Sequence, residues 1–86
     1  MIYTRNHTPD GKGYVHDNIA VSVAAVRELC AVHKIASDAG DDPAVFTAAR
    51  LARYRAVIFC NTNNEAFASA DQSAALDAFV RGGGGF

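Results

Sequence analysis

Two histidines are the side chains of this sequence best suited to acid–base chemistry. His16 stands next to Asp17, and a carboxylate that orients an imidazole is a common arrangement for a general base. The same two residues could equally begin a helix with the ring exposed. His7 and His16 could share a metal ion, but their spacing supplies no third ligand. We therefore take His16 and Asp17 as catalytic candidates, and we predict neither a metal nor any other cofactor.

A second polar group occupies the segment Asn61–Glu65, which reads "NTNNE". Its amides and its hydroxyl both donate and accept hydrogen bonds, as a polar, uncharged ligand such as a sugar requires. We take Thr62, Asn63 and Glu65 as candidate substrate-binding residues. The predicted partner is a small sugar-like molecule.

Three segments have the composition of strands. Met1–Thr4 is short and rich in residues that favour β-structure. Lys34–Ser37 has the composition of a brief second strand. Ala56–Cys60 is an uninterrupted apolar run between polar residues, which is typical of a strand covered on both faces. This last segment is the clearest strand of the chain.

Helices are predicted between these strands. Apolar residues recur every three or four positions over His16–His33, which predicts a long helix with a broad face that could pack on a sheet. Asp17 or Asn18 can cap its first turn. Asp42 is placed to cap a single helical turn that begins with proline, and Thr47 precedes a second short helix.

A further helix is predicted over Asp71–Arg81, after the strand Ala56–Cys60. Ser69 and Gln72 have the spacing of a capping box at its start. Gly82 follows its last turn, where a residue in the left-handed region commonly ends a helix. The other glycines of "RGGGGF" would then form a turn that leads the chain back into the sheet.

The order of these elements alternates between strand and helix, which favours an open parallel α/β sheet with right-handed crossovers. In such sheets ligands bind beyond the carboxyl ends of the strands. The loops Arg5–His16 and Asn61–Glu65 follow two strands that we expect to be neighbours. We therefore predict that their polar residues meet at one edge of the sheet.

The composition limits the function classes that need to be considered. The chain has 86 residues and a formal net charge of −1, which fits one small domain without the basic patch of a nucleic-acid-binding protein. No segment is long and apolar enough to span a membrane, and none resembles a signal peptide. Cys30 and Cys60 are too few for a disulfide framework. We predict a cytoplasmic protein with no nucleic-acid or membrane partner.

Three segments of the chain resemble the ThuA-like family, the trehalose-utilisation proteins. They are "YVHDNI" (Tyr14–Ile19), "DPAVFTAARLARYRAVIFCNT" (Asp42–Thr62) and "ALDAFVRGGGGF" (Ala75–Phe86). The family pattern has an aromatic-x-His-Asp-x-Ile stretch after the first strand, an Asn-Thr-Thr-Gly turn after a later one, and a helix that ends in a Gly-Gly-Gly-Phe sequence. Arg55 and Asn64 depart from this pattern, which favours Asp and Gly at their positions.

The resemblance implies a flavodoxin-like α/β fold related to class I glutamine amidotransferases, with helices on both faces of the sheet. It also implies a role in disaccharide or keto-sugar metabolism. His16 and Asp17 match the family's His-Asp pair, and Thr62 and Asn63 match its Thr-Thr turn.

The family pattern continues past the glycines into another buried strand, so we expect residues 1–86 to be the N-terminal portion of a single domain, truncated at both ends. Such a portion would leave an open sheet edge beside Ala56–Cys60, which favours self-association. We expect no turnover by these residues alone. The alternatives to a carbohydrate-metabolism enzyme are a non-catalytic sugar-binding or interaction module and an inactive truncated gene product.

Overall fold

The computed structural model describes residues 1–86, which form a small α/β fold around three parallel strands. The strands are β1 (Ile2–Tyr3), β2 (Ala39–Gly40) and β3 (Ile58–Phe59), and their order in the sheet is β2-β1-β3. Ile2 of the central strand pairs with Ala39 on one side and with Ile58 on the other. This is the order of the first three strands of a flavodoxin-like sheet. The predicted fold class is confirmed.

The second strand lies further along the chain than the predicted Lys34–Ser37, so that prediction is wrong. Lys34 adopts a left-handed conformation with φ of 56°, and the next N–H, of Ile35, donates to the carbonyl of Cys30 at 2.8 Å. These are features of a Schellman motif, which ends the preceding helix. The chain reaches the sheet only at Asp38, whose carbonyl accepts from the N–H of Ile2 at 2.8 Å.

Three α-helices connect or follow the strands: α1 (Ile19–Val32), α2 (Ala48–Leu51) and α3 (Ala70–Arg81). A single 3-10 turn over Pro43–Val45 precedes α2. The predicted cap Asp42 is confirmed, and Thr47 caps α2. The Asp42 side chain accepts from the N–H of Ala44 at 2.9 Å, and the Thr47 hydroxyl accepts from the N–H of Arg50 at 3.3 Å. None of the helices is long and apolar enough to cross a membrane.

The capping prediction for α3 is correct only in part. Gln72 reaches back to accept from the N–H of Ala68 at 2.7 Å, whereas the Ser69 side chain makes no capping hydrogen bond. At the other end, Gly82 keeps φ at −78° and the left-handed residue is Gly83, with φ of 100°. The left-handed conformation was therefore predicted one residue too early.

The hydrophobic core lies on one side of the sheet. Right-handed crossovers in this strand order place α1 on one face and place α2 and α3, which contact each other, on the opposite face. The main cluster of buried residues comes from β1, α2, α3 and the segments directly before α2 and β3: Tyr3, Val45, Phe46, Leu51, Val57 and Leu76. The core therefore belongs to the face that carries α2 and α3.

Helix α1 forms as predicted but has no buried residue. Its predicted apolar stripe, which includes Ile19, Val23 and Val26, is only half-buried. Leu29 of the same helix is exposed. The helix thus contributes no residue to the buried core.

The final glycines lead the chain back to the sheet, as predicted. Gly85 pairs with Ala56 in a parallel bridge, in which the N–H of Val57 donates to the Gly85 carbonyl at 3.0 Å. The ring of Phe86 lies edge-on to that of Phe59 at 5.0 Å. Ile58 is nevertheless 43% exposed, so the prediction of a strand covered on both faces is wrong. Self-association through this edge stays a prediction.

Candidate functional site

The loops that follow β1 and β3 meet at the carboxyl edge of the sheet, as the sequence predicted. His7 in the first loop forms an antiparallel bridge with Glu65 in the second, and the N–H of Glu65 donates to the His7 carbonyl at 3.1 Å. Their side chains also approach each other, with Nε2 of His7 3.9 Å from Oε2 of Glu65. The two loops therefore form one continuous surface.

Asparagine side chains hold these loops together. The Asn6 Oδ1 accepts from the backbone N–H of Asn63 at 2.9 Å. The side-chain amides of Asn63 and Asn64 both donate to the carbonyl of Tyr14, at 3.1 and 2.7 Å. Several polar groups of "NTNNE" therefore form hydrogen bonds within the protein.

Two further residues of this segment anchor it to neighbouring elements. Asn61 adopts a left-handed conformation, with φ of 56°, and its amide donates to Asn18 Oδ1 at 3.0 Å and to the Ser22 hydroxyl at 3.3 Å. Asn18 therefore binds this loop instead of capping α1, where it makes no capping bond. The Thr62 hydroxyl donates to the Tyr3 carbonyl at 3.3 Å. The predicted binding residues Thr62 and Asn63 thus both stabilise the loop.

An open hollow of about 580 Å³ lies between the two loops and the start of α3. Its lining combines charged, hydroxyl and aromatic side chains, among them Arg5, His7, Glu65, Phe67, Ser69 and Ser73. The chain leaves β1 towards β2 on one side and returns to β3 on the other. The hollow therefore lies at the switch point between β1 and β3, where open α/β sheets bind their ligands.

The side chain of Tyr3 supports the wall of this hollow from the core. Its hydroxyl donates to the carbonyl of Ala66, a residue that lines the hollow. Burial raises the pKa of Tyr3 to about 12, and the nearby charge of Arg5 lowers it by a smaller amount. The phenol is thus held in its neutral, donating form.

We expect this tyrosine to make the fold sensitive to alkaline pH. In the unfolded chain the phenol ionises near pH 10, whereas in the folded chain it keeps its proton until about pH 12. The unfolded state therefore binds fewer protons in this window, so the unfolding free energy should fall as pH rises from 10 to 12. In urea titrations, the unfolding free energy of the Tyr3→Phe variant should fall less between pH 10 and 12 than that of the parent. At neutral pH the variant should be less stable by about 1–2 kcal/mol, because the Ala66 carbonyl loses its partner. An equal alkaline fall in both proteins would contradict the assignment.

The predicted catalytic pair lies outside this hollow. The His16 ring packs edge-on against Tyr14 at 5.1 Å, and neither His16 nor Asp17 is among the residues that line the hollow. The two follow the loop that Asn63 and Asn64 bind, directly before Asn18. No group of three or more His, Cys, Asp or Glu side chains is arranged to hold a metal ion.

The sequence reasoning missed several residues of the hollow. It assigned no role to Arg5 or Phe67, and it treated Ser69 as a helix cap only. Ser73 was considered only as part of a helix, where its hydroxyl donates to the Ala70 carbonyl at 2.9 Å. Their positions in the chain could have identified them, because a switch-point site uses the residues directly after β1 and those that begin the helix after β3.

Comparison with known proteins assigns the chain to a family. The family model described as ThuA, trehalose utilisation, matches residues 6–86. No curated protein and no solved structure gives a significant match. The family match covers both loops of the carboxyl edge, α1 and α3, and it agrees with the resemblance that the sequence motifs indicated. The chain belongs to the ThuA family of trehalose-utilisation proteins.

Proposed function

We propose that this chain is a domain of carbohydrate metabolism that binds a sugar-like ligand in the hollow at the carboxyl edge of β1 and β3. The observation that carries the proposal is the position of the hollow at the switch point of the sheet. A role in trehalose or keto-disaccharide metabolism accords with the family to which the chain belongs. A relation to class I glutamine amidotransferases is part of the same proposal.

The chemistry of the lining suits a polyhydroxylated ligand. Glu65 supplies acceptors, His7 and Ser73 can exchange hydrogen bonds with hydroxyl groups, and Phe67 offers an apolar surface. Of the predicted binding residues, Glu65 is the one that lines the hollow. Thr62 keeps hydroxyl lone pairs, and Asn63 keeps its carbonyl oxygen, for a ligand that extends over the loop.

His16 and Asp17 remain our proposal for an acid–base pair acting on such a ligand. The pair borders the same loops, and an imidazole next to a carboxylate can move a proton near neutral pH. The alternative is a binding module without chemistry, which the absence of hydrogen bonds between His16 and any other residue favours. Cys60 follows β3 directly but is 6% exposed, so it is poorly placed for nucleophilic attack on a bound sugar.

The proposal is tested by titrating the ¹⁵N-labelled chain with trehalose and with a keto-disaccharide. We expect chemical-shift changes at Arg5, His7 and the segment 65–73. Glu65→Gln should weaken binding roughly tenfold, because hydrogen bonds to a charged group contribute about 1.5–3 kcal/mol. Asp77→Asn is the matched control, since it removes an exposed carboxylate that pairs with Arg81 at the far end of α3.

Three outcomes would decide between the functions. Absence of shifts around the hollow with either sugar, or equal weakening by both variants, would contradict sugar binding at this site. Binding of the keto-disaccharide with no change in its structure over time would favour the non-catalytic module. Turnover that is lost in a His16→Ala variant which still binds would instead support the enzyme hypothesis.

A further inference from the structure

Arg5 lines the hollow and carries a positive charge that no protein group neutralises. It is the only arginine of the chain that is partly buried, since the other arginines are exposed. The two contacts between acidic and basic side chains in the structure join His7 to Glu65 and Arg81 to Asp77, and Arg5 takes part in neither. The Nε of Arg5 is enclosed and has no hydrogen-bond partner.

An enclosed guanidinium nitrogen without a partner is costly unless a ligand compensates it. A buried donor without a partner costs about 1–3 kcal/mol, and more when the group is charged. Guanidinium groups bind carboxylates and phosphates in a two-pronged geometry that suits both. The unpartnered arginine in the wall of the hollow therefore favours an anionic group in the ligand.

Two features locate this charge within the hollow. Ala66 and Arg5 both line the hollow. The first residues of α3 border the same space, and the positive end of that helix dipole adds to the charge of Arg5.

The one carboxylate that lines the hollow is exposed to solvent. The Glu65 carboxylate, which would repel an anion, lies 3.9 Å from the imidazole of His7. Asp71 in the first turn of α3 is exposed, so solvent screens its effect. Arg5 is therefore the least exposed of the charged side chains that line the hollow.

We propose that the ligand is an acidic sugar, either a sugar acid or a sugar phosphate, whose anionic group binds Arg5. This inference rests on the proposed function, because it specifies the class of sugar that the same hollow would take. A neutral sugar would leave the charge of Arg5 uncompensated, which gives the site its preference for an anion.

The test compares three matched ligands by calorimetric titration of the full chain, namely glucose, glucuronate and glucose 6-phosphate, with inorganic phosphate as the sugar-free reference. We expect at least one of the two anions to bind ten times or more tightly than glucose. Arg5→Gln should reduce that preference to less than threefold. Arg5→Lys, which keeps the charge but not the planar geometry, should retain part of the preference. Thermal melts check that both variants fold.

Arg53→Gln is the matched control, because it removes an exposed arginine that does not line this hollow. Equal affinity for glucose and both anions would overturn the acidic-sugar proposal and leave sugar binding intact. A preference that survives in a folded Arg5→Gln variant, or that Arg53→Gln abolishes equally, would also overturn it. Arg5-dependent binding of inorganic phosphate without any effect of a sugar moiety would confirm the anion site but contradict the proposed sugar function. Comparing the affinities for glucuronate and glucose 6-phosphate identifies which kind of acidic sugar the site binds.

Discussion

Replacing Phe46 with alanine should lower the melting temperature of the chain by more than about 15 °C. In this small fold the variant should no longer show a cooperative unfolding transition at moderate temperature. Phe46 is 2% exposed, and its ring packs edge-on against Tyr3 at 4.7 Å and against Phe67 at 5.0 Å. Truncating a buried phenylalanine costs about 3–5 kcal/mol. A domain of this size is stable by only about 4–13 kcal/mol, so one substitution removes a large part of the total.

The same substitution should also impair the hollow, because Phe67 lines it and rests on Phe46. Circular dichroism melts, with sugar titration below the transition, measure both effects. Val21→Ala is the control, since Val21 is 73% exposed on α1 and its truncation should change stability by less than about 0.5 kcal/mol. A Phe46→Ala protein that melts within 3 °C of the parent would show that this aromatic cluster does not hold the fold together.

Replacing Gly84 with alanine should be the second most damaging change, with a loss of about 1–3 kcal/mol. A Cβ at this position would overlap the ring of Phe79, which packs against the core from α3. The backbone cannot easily move away, because the N–H of Gly84 donates to the Phe79 carbonyl at 2.9 Å and Gly85 pairs beside β3. We therefore expect the final turn to leave the sheet.

Hydrogen exchange at the Val57 amide reports this directly, since that N–H donates to the Gly85 carbonyl. Its protection should be lost in Gly84→Ala and partly restored when Phe79→Ala removes the overlapping ring. Gly11→Ala serves as the control, because Gly11 has φ of 69° but open space around its Cα. It should cost about 1 kcal/mol through backbone strain alone and leave Val57 protected. Unchanged Val57 protection in Gly84→Ala would refute the steric explanation.

The site was predictable only as far as the loops that form it. The alternation of strands and helices implies a parallel sheet, and neighbouring parallel strands bring their following loops to one edge. This is why the approach of Arg5–His16 to Asn61–Glu65 could be foreseen. The roles within the loops could not be, because an asparagine that binds a carbonyl and one that binds a ligand look the same in sequence. Whether His16 and Asp17 act on a ligand stays a prediction.

The sequence by itself determined the elements whose signals are local. Asp42 and Thr47 cap their turns because a side-chain oxygen two or three residues before a free N–H is sufficient for that bond. The alternation of strands and helices likewise follows from the periodicity of apolar residues over a few turns.

Tertiary structure alone decided the features that depend on distant partners. β2 forms at Ala39–Gly40 because that segment reaches the edge of β1, where Ile2 can pair with it. The stripe of α1 stays half-buried because the core lies on the side of α2 and α3. Arg5 meets Ser73 in one hollow only because β1 and β3 are neighbours, although 68 positions separate them in the chain. The local periodicity of apolar residues does not predict such contacts, because they arise from the packing of whole elements.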